Sequence, residues 1–252
     1  MNLELEGKVA LVTGSIRGIG KGIALVLAEK GADVILNGVN PNPEADKLQA
    51  QIEAMGRKAL TIYADVSDEL QVEAMFEQIV QTFGRLDILV NNAGTSQAKD
   101  IFEEELTDWE RIIRINLTSV FLCSKEAMKI MREQKSGRII QVSSVVGHRG
   151  ALFGHVHYAA TKSGMFGFSK TLARTAAPFG ITVNTISPGI IETELLTQTH
   201  GEEGIKKLIE TVPLKALGTP RQCGLAVAFL CGEGGDYITG SDIDVNGGIH
   251  FR

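Results

Sequence analysis

Short apolar, β-branched runs alternate along the chain with stretches of helical period. "KVALVT" (8–13), "DVILN" (33–37), "ALTIYA" (59–64), "LDILVN" (86–91), "GRIIQVS" (137–143), "ITVNTIS" (181–187) and "DIDVN" (242–246) read as strands. Between the earlier ones, Val72, Met75 and Phe76, then Ile79, Val80 and Phe83, recur at helical spacing and predict an amphipathic helix. Strands that are apolar almost throughout are buried on both faces, so the intervening helices must cover the sheet from both sides. The pattern predicts an α/β fold: a doubly wound parallel sheet of seven strands, with helices on both faces, spanning 1–252 as a single domain. No repeat, low-complexity tract or long linker divides it.

The segment 188–221 departs from this alternation. It opens "PGIIETELLTQTHGEEG", carries Leu195, Leu196, Ile205, Leu208 and Ile209 at helical spacing, and closes at "VPLKALGTP". Lying after the carboxyl end of the sixth strand, it is expected to form a small substrate lid.

Composition narrows the setting. At 252 residues, 44% hydrophobic and 22% charged, the chain can bury a sizeable core. A net charge of −5 argues against nucleic acid or an anionic membrane as main partner. Cys123, Cys223 and Cys231 are odd in number and fit no zinc spacing, which suggests buried thiols in a reducing compartment. No leader-like run opens the chain and runs such as "IALVLA" are too short to span a bilayer, so the expectation is cytoplasmic.

Candidate chemistry begins at "VTGSIRGIG", between the first strand and an apolar helix. Gly14, Gly18 and Gly20 permit a tight turn and the approach of a phosphate to the helix N-terminus. The spacing is G-x-x-x-G-x-G, different from the commoner G-x-G-x-x-G dinucleotide fingerprint. A second feature is "HYAATKSG" (157–164), where Tyr158 and Lys162 share one helical face a turn apart. A free phenol has a pKa of about 10, and a neighbouring ammonium is expected to lower it. Tyr158 could then give a proton to a carbonyl oxygen or take one from an alcohol. Ser144 ends the fifth strand, where a hydroxyl can orient a carbonyl. Asn116 falls inside an apolar helical stripe of Trp109, Ile112, Ile113, Leu117, Val120 and Phe121, with Trp109 read as core, so its amide needs a partner.

These residues resemble, in order and over essentially the whole chain, the motifs of the short-chain dehydrogenase/reductase superfamily: Thr13-Gly14-x-x-x-Gly18-x-Gly20, Asn91-Asn92-Ala93-Gly94, Asn116, Ser144, Tyr158 with Lys162, and Pro188-Gly189. The resemblance implies a Rossmann-type fold and nicotinamide-dependent oxidation and reduction of CH–OH groups, with Asn116, Ser144, Tyr158 and Lys162 as the catalytic set. It further implies a cofactor site formed by Gly14, Ser15, Arg17, Gly18, Ile19, Gly20, Asn37, Asp65, Val66, Asn92, Ala93, Gly94, Tyr158, Lys162, Pro188, Gly189, Ile191 and Thr193. Asp65 would meet the adenine amino group with Val66 beside the ring, Lys162 the nicotinamide ribose, and Thr193 the carboxamide, with Ile191 near the ring. Asn116 would break its helix locally and join Lys162 through water; an asparagine capping a backbone kink is the other reading. Thr193 equally suits a helix N-cap. The interval from Ser144 to Tyr158 is one residue longer than usual in the family, which leaves the intervening loop open.

The second strand ends Asn37-Gly38-Val39-Asn40 without the acid that usually takes a ribose 2′-hydroxyl, and Asp33 comes too early. Arg17 could pair with a 2′-phosphate, which favours NADP(H) and leaves NAD(H) open. In the loop 147–157, Arg149 or His155 could meet an anionic substrate group, while no ligand set for a metal accompanies His148, His155 and His157.

Within the superfamily, "TGSIRGIG", "NNAG", "SSVVG" and "DVNGG" look most like the 3-oxoacyl-carrier-protein reductases. That implies a carbonyl/secondary-alcohol substrate and an acyl carrier protein partner docking on Lys129, Arg132, Lys135 or Arg174. It also implies a homotetramer built on helices near 107–134 and 158–178. A sugar, polyol or hydroxysteroid dehydrogenase is the alternative, and a cofactor-sensing regulator without turnover a further one.

Overall fold

The computed structural model describes residues 3–152 and 154–252, apart from the side chains of Leu195 and His200. Strands β1 (Val9–Val12), β2 (Asp33–Gly38), β3 (Ala59–Tyr63), β4 (Ile88–Asn91), β5 (Gly137–Val142), β6 (Ile181–Pro188) and β7 (Asp242–Val245) form one sheet. Its order is β3-β2-β1-β4-β5-β6-β7, and every neighbouring pair is parallel. This is the seven-stranded, doubly wound architecture that the apolar pattern predicts.

The helices are α1 (Gly18–Glu29), α2 (Pro43–Ala54), α3 (Glu69–Phe83), α4 (Leu106–Ile113), α5 (Ser119–Gln134), α6 (Val146–Arg149), α7 (Val156–Ala176), α8 (Glu194–Thr211) and α9 (Pro220–Cys231). Local signals set several of their ends. Asp68 caps α3 through the N–H of Gln71, and Gly84 stops it in the left-handed region at φ 69°. Thr219 and Gln222 close a reciprocal capping box on α9, with Pro220 in its first turn.

Successive strand residues point to opposite faces, and both faces are covered. Ala10, Val12, Leu36 and Val90 pack with Ile23 and Leu27 of α1 and Val227 and Leu230 of α9. Leu11, Ile35, Leu89 and Ile139 pack with Met75 and Phe76 of α3 and Cys123, Ala127 and Met131 of α5. Each such Leu or Ile, fully buried, contributes about 1.5–3 kcal/mol. The crossing of α1 and α9 is close because two glycines meet there: a β-carbon placed on Gly224 would lie 2.8 Å from Gly22 O and 2.9 Å from Val26 Cβ.

One expectation needs correction. Trp109 is 39% exposed and Phe121 50%, so neither is core. On α4 and α5 only one side faces the sheet, taken by Ile112, Val120, Cys123 and Ala127, while Trp109 and Phe121 fall on the other. The 188–221 segment holds α8, in keeping with the helical spacing of its apolar residues, with one kink at Gly201, φ 60°. Leu196, Ile205, Leu208 and Ile209 of that segment are half-buried; the side chain of Leu195 lies outside the described residues. No helix of the described residues is long and apolar enough to cross a membrane.

The site is placed by the strand order. Chain connections leave β1 toward β2 and β4 toward β5, in opposite directions, which opens a crevice at the carboxyl ends of β1 and β4. The glycine turn leaves β1 there, and Asn91-Asn92-Ala93-Gly94 leaves β4.

Candidate active site

The two turns are locked together. The Thr13 hydroxyl accepts the N–H groups of Asn92 and Ala93, each at 3.0 Å, and Asn92 Nδ2 donates to Thr13 O at 2.8 Å and Gly14 O at 3.0 Å. Glycine is required at this crossing: a β-carbon on Gly14 would lie 2.9 Å from Ala93 Cα, and one on Gly20 2.5 Å from Asn92 Nδ2. The N-terminus of α1 beyond the turn has no side-chain cap and no acid in its first turn. Its N–H groups and dipole therefore suit an anion. Gly18 and Ile19 are half-buried at this end, and Arg17, at the N-cap position, is exposed.

Ser15 and Asn37 behave differently from the other candidates. Ser15 Oγ accepts the Asn37 N–H at 2.9 Å, Asn37 Oδ1 accepts the Gly14 N–H at 3.2 Å, and Asn37 Nδ2 donates to Ala64 O at 3.1 Å. Both side chains are buried and brace the turn against β2 and β3. The open end of β2 is formed instead by Gly38 and the exposed Val39, with no carboxylate, while Asp33 binds the Lys58 N–H at the opposite end. Asp65 accepts the N–H and O–H of Ser67 on Oδ1, and Val66 beside it is buried.

The four candidate catalytic residues converge at the carboxyl edge. Tyr158 and Lys162 project from α7, and Lys162 Nζ lies 5.6 Å from the centre of the Tyr158 ring. Ser144 follows β5, where its Oγ accepts the Val146 N–H at 3.1 Å and its hydroxyl acts on the Tyr158 phenol. A β-carbon on Gly94 would lie 3.3 Å from Asn116 Oδ1 and 3.7 Å from Lys162 Nζ, so the β4 turn reaches this group as well. Asn116 is fully buried where the helix widens into a π turn, Arg114–Thr118, between α4 and α5. Such turns re-aim a side chain without ending the helix. Its amide is satisfied directly, accepting the Thr95 N–H and donating to Thr95 O, both at 2.8 Å, and donating to Thr161 Oγ1 at 3.3 Å.

The electrostatics differ from expectation. Burial raises the Tyr158 phenol above its ordinary value, and the Ser144 hydroxyl only partly opposes this. Burial also lowers Lys162, to about 8. Lys162 is 4% exposed and its Nζ donates to Val142 O at 2.8 Å. The expected lowering of Tyr158 is therefore not present: desolvation sets the direction of the shift, and the phenol keeps its proton at neutral pH.

Pro188, Gly189, Ile191 and Thr193 form the opposite wall. Gly189 is pressed against β7, where a β-carbon would lie 2.8 Å from Asn246 Cα, and Ile191 is buried. Thr193 caps α8 by accepting the Leu196 N–H, and its Cγ2 would lie 3.6 Å from a β-carbon on Gly18. The N-cap role is thus realised at a position that also borders the glycine turn.

The histidines of the 147–157 loop diverge. His148 Nε2 lies 2.5 Å from Asp242 Oδ2, His155 Nδ1 lies 2.9 Å from Ser96 Oγ, and His157 is fully buried. Burial and the neighbouring His157 hold His155 below its ordinary value, so it is neutral at pH 7. Arg149 reaches Ile249 O. The expected anion contact through these two residues loses one of its cations. His148, Asp242 and Asp244 cluster closely, but Arg252 pairs with both aspartates.

A profile of the family described as enoyl-(acyl-carrier-protein) reductase matches residues 14–250. The chain is 41% identical over 249 residues to the 3-oxoacyl-[acyl-carrier-protein] reductase FabG of Aquifex aeolicus, covering 99% of this chain and 100% of that one. It is 42% identical, with the same coverage, to that of Vibrio cholerae. The chain belongs to the short-chain dehydrogenase/reductase family. A putative short-chain alcohol dehydrogenase from Sinorhizobium meliloti superposes with a TM-score of 0.92 at 33% identity, covering 99% of this chain and 98% of that one. Membership in the short-chain dehydrogenases makes the protein an oxidoreductase that acts with a nicotinamide cofactor on alcohol and carbonyl groups. The donor set fits such a group: an uncapped helix N-terminus for a pyrophosphate, and a half-buried phenol with a buried hydroxyl and ammonium.

Sequence reasoning missed the supporting partners. Val142 O, both backbone groups of Thr95 and the Thr161 hydroxyl carry no motif, because backbone acceptors are invisible in residue identity. Thr13 was legible only as part of the glycine turn.

Proposed function

We propose that this protein is an NADP(H)-dependent reductase of 3-oxoacyl groups, with Tyr158 as the proton donor. The observation that carries the reading is the half-buried phenol of Tyr158, with Lys162 Nζ 5.6 Å from the centre of its ring and the Ser144 hydroxyl acting on it from the end of β5. A phenol that keeps its proton suits delivery to a carbonyl oxygen as negative charge develops there. Ser144 would hold the same oxygen. Lys162, with a pKa of about 8, remains mostly protonated at pH 7 and supplies a buried positive charge. Asn116 would hold the 95–116 crossing and the base of Lys162. When bound, the nicotinamide supplies or takes the hydride.

For the cofactor, the backbone of Gly14, Gly18, Ile19 and Gly20 would receive the pyrophosphate, and Arg17 a 2′-phosphate at the acid-free end of β2. Asp65 and Val66 would border the adenine. Asn92, Ala93 and Gly94 would line the inner ribose, and Pro188, Gly189, Ile191 and Thr193 the nicotinamide. Ser15 and Asn37 would act by shaping the turn. The name borne by the relatives, 3-oxoacyl-[acyl-carrier-protein] reductase, supports a carrier-linked substrate. Of the four cations expected to dock a carrier protein, Lys129 pairs with Glu126 and Arg132 with Glu133. Lys135 and Arg174 are therefore the docking cations proposed here. Exposed Leu106, Trp109 and Phe121 on α4 and α5 would be covered by another copy in a homotetramer.

The test is NADPH and NADH oxidation with 3-oxoacyl carrier-protein substrates and with neutral cyclic ketones. Saturable NADPH oxidation with the carrier-linked substrate, lost in Tyr158→Phe while dinucleotide affinity persists, is expected. Turnover by Tyr158→Phe at the wild-type rate would overturn the assignment.

A further inference from the structure

The start of α7 is stitched to the segment 95–104 at three places. Ser96 Oγ lies 2.9 Å from His155 Nδ1, a β-carbon on Gly154 would lie 2.6 Å from Lys99 O, and Glu104 Oε1 lies 3.9 Å from His157 Nδ1. The third contact is chemically unusual. The His157 and Glu104 side chains are 0% and 3% exposed, and His157 Nε2 and both Glu104 oxygens have no hydrogen-bond partner among the described residues. Buried polar groups without partners are rare and ask for an explanation. A site built for packing alone would hold apolar side chains of similar volume.

What His157 does hold is the main chain of Tyr158. Its Nδ1 accepts the Tyr158 N–H at 2.8 Å. That N–H lies in the first turn of a 21-residue helix, where no helical carbonyl is available to it. An accepting nitrogen keeps its lone pair, so the neutral ring carries its proton on Nε2. Glu104, at 3.9 Å, is too far to claim the same nitrogen by a hydrogen bond, and its carboxylate stands at the positive end of α7.

We propose that His157 is a positioning residue for Tyr158: it fixes the backbone that carries the phenol. The inference rests on Tyr158 being the proton donor. It also gives the longer interval between Ser144 and Tyr158 a role, since the loop closes on 95–104 before α7 begins.

Two variants separate positioning from packing. His157→Leu keeps the volume and removes the acceptor, whereas His157→Asn places an amide Oδ1 where the histidine has Nδ1. Ketone reduction, NADPH affinity by fluorescence and melting temperature are measured for both, with Tyr158→Phe alongside. Expected is a fall in kcat of about thirtyfold or more for His157→Leu. Its NADPH Kd should stay within about twofold of wild type, and its melting temperature should be no lower. His157→Asn should recover kcat to within about fivefold of wild type. Wild-type kcat in His157→Leu, equal impairment in both variants, or a loss that tracks melting temperature would overturn the proposal. An active Tyr158→Phe would instead overturn the reading of Tyr158 itself, whatever the histidine variants do.

Discussion

Lys162 Nζ donates to the carbonyl of Val142 at 2.8 Å, two residues before Ser144. The ammonium of α7 is thereby tied to the strand that delivers the serine. The bond is made in a dry interior, and its cost should be measurable.

Lys162→Met should abolish turnover and raise stability at neutral pH. Below pH 8 both folded and unfolded chains hold the lysine proton, and the folded state bears the full penalty of a buried charge. Between about 8 and 10.5 the unfolded chain binds more protons than the folded one, so wild-type stability rises with pH relative to the variant. The gap, roughly 3 kcal/mol at pH 7, should close by about pH 10.5 in urea titrations. A constant gap would contradict the burial of the charge.

Arg17→Ala should weaken NADPH binding about 10–100-fold and leave NADH binding unchanged, since one charge-assisted hydrogen bond is worth about 1.5–3 kcal/mol. Isothermal titration with both dinucleotides checks this. Equal losses for the two would remove the 2′-phosphate role.

Asn116→Leu should lower kcat about 100-fold or more and also destabilise the fold, because it leaves the N–H and C=O of Thr95 unpaired at about 1–3 kcal/mol each. Thermal melts alongside kinetics would show both effects. A variant slowed without being destabilised would mean that Thr95 finds other partners.

Cys123, Cys223 and Cys231 are buried, and desolvation pushes each thiol up to about 12. A thiol-exchange reagent at pH 8 should leave the native chain unmodified and titrate all three only on unfolding. Fast labelling of any one in the folded state would contradict its burial.

Gly224→Ala should destabilise by about 1–3 kcal/mol, since the added methyl meets the backbone of Gly22 and the side chain of Val26. The urea midpoint should fall with the slope unchanged. An unaltered midpoint would show that α1 and α9 can separate freely.

Most of the fold was legible because its strands are apolar on both faces and its turns are built from glycine. All seven strands and the positions of Ser144, Tyr158 and Lys162 followed from those two signals and from motif order. The exposure of Trp109 was not legible, because an apolar stripe looks the same whether it faces a core or solvent. The fate of Asn37 was equally hidden: its strand position was plain, but its amide is spent on Gly14 and Ala64, contacts that only the fold creates. The direction of the Tyr158 shift depended on burial, which residue spacing cannot weigh against a nearby charge.

The bonds from Asn92 and Ala93 to the Thr13 hydroxyl join residues 79 and 80 apart in the chain. No hairpin brings such partners together, and every strand in the sheet reaches its neighbour only through a long crossover. The turn proposed to take the cofactor's phosphates therefore cannot form in a partly assembled N-terminal half, and recovery of dinucleotide affinity during refolding would time the docking of β4 beside β1.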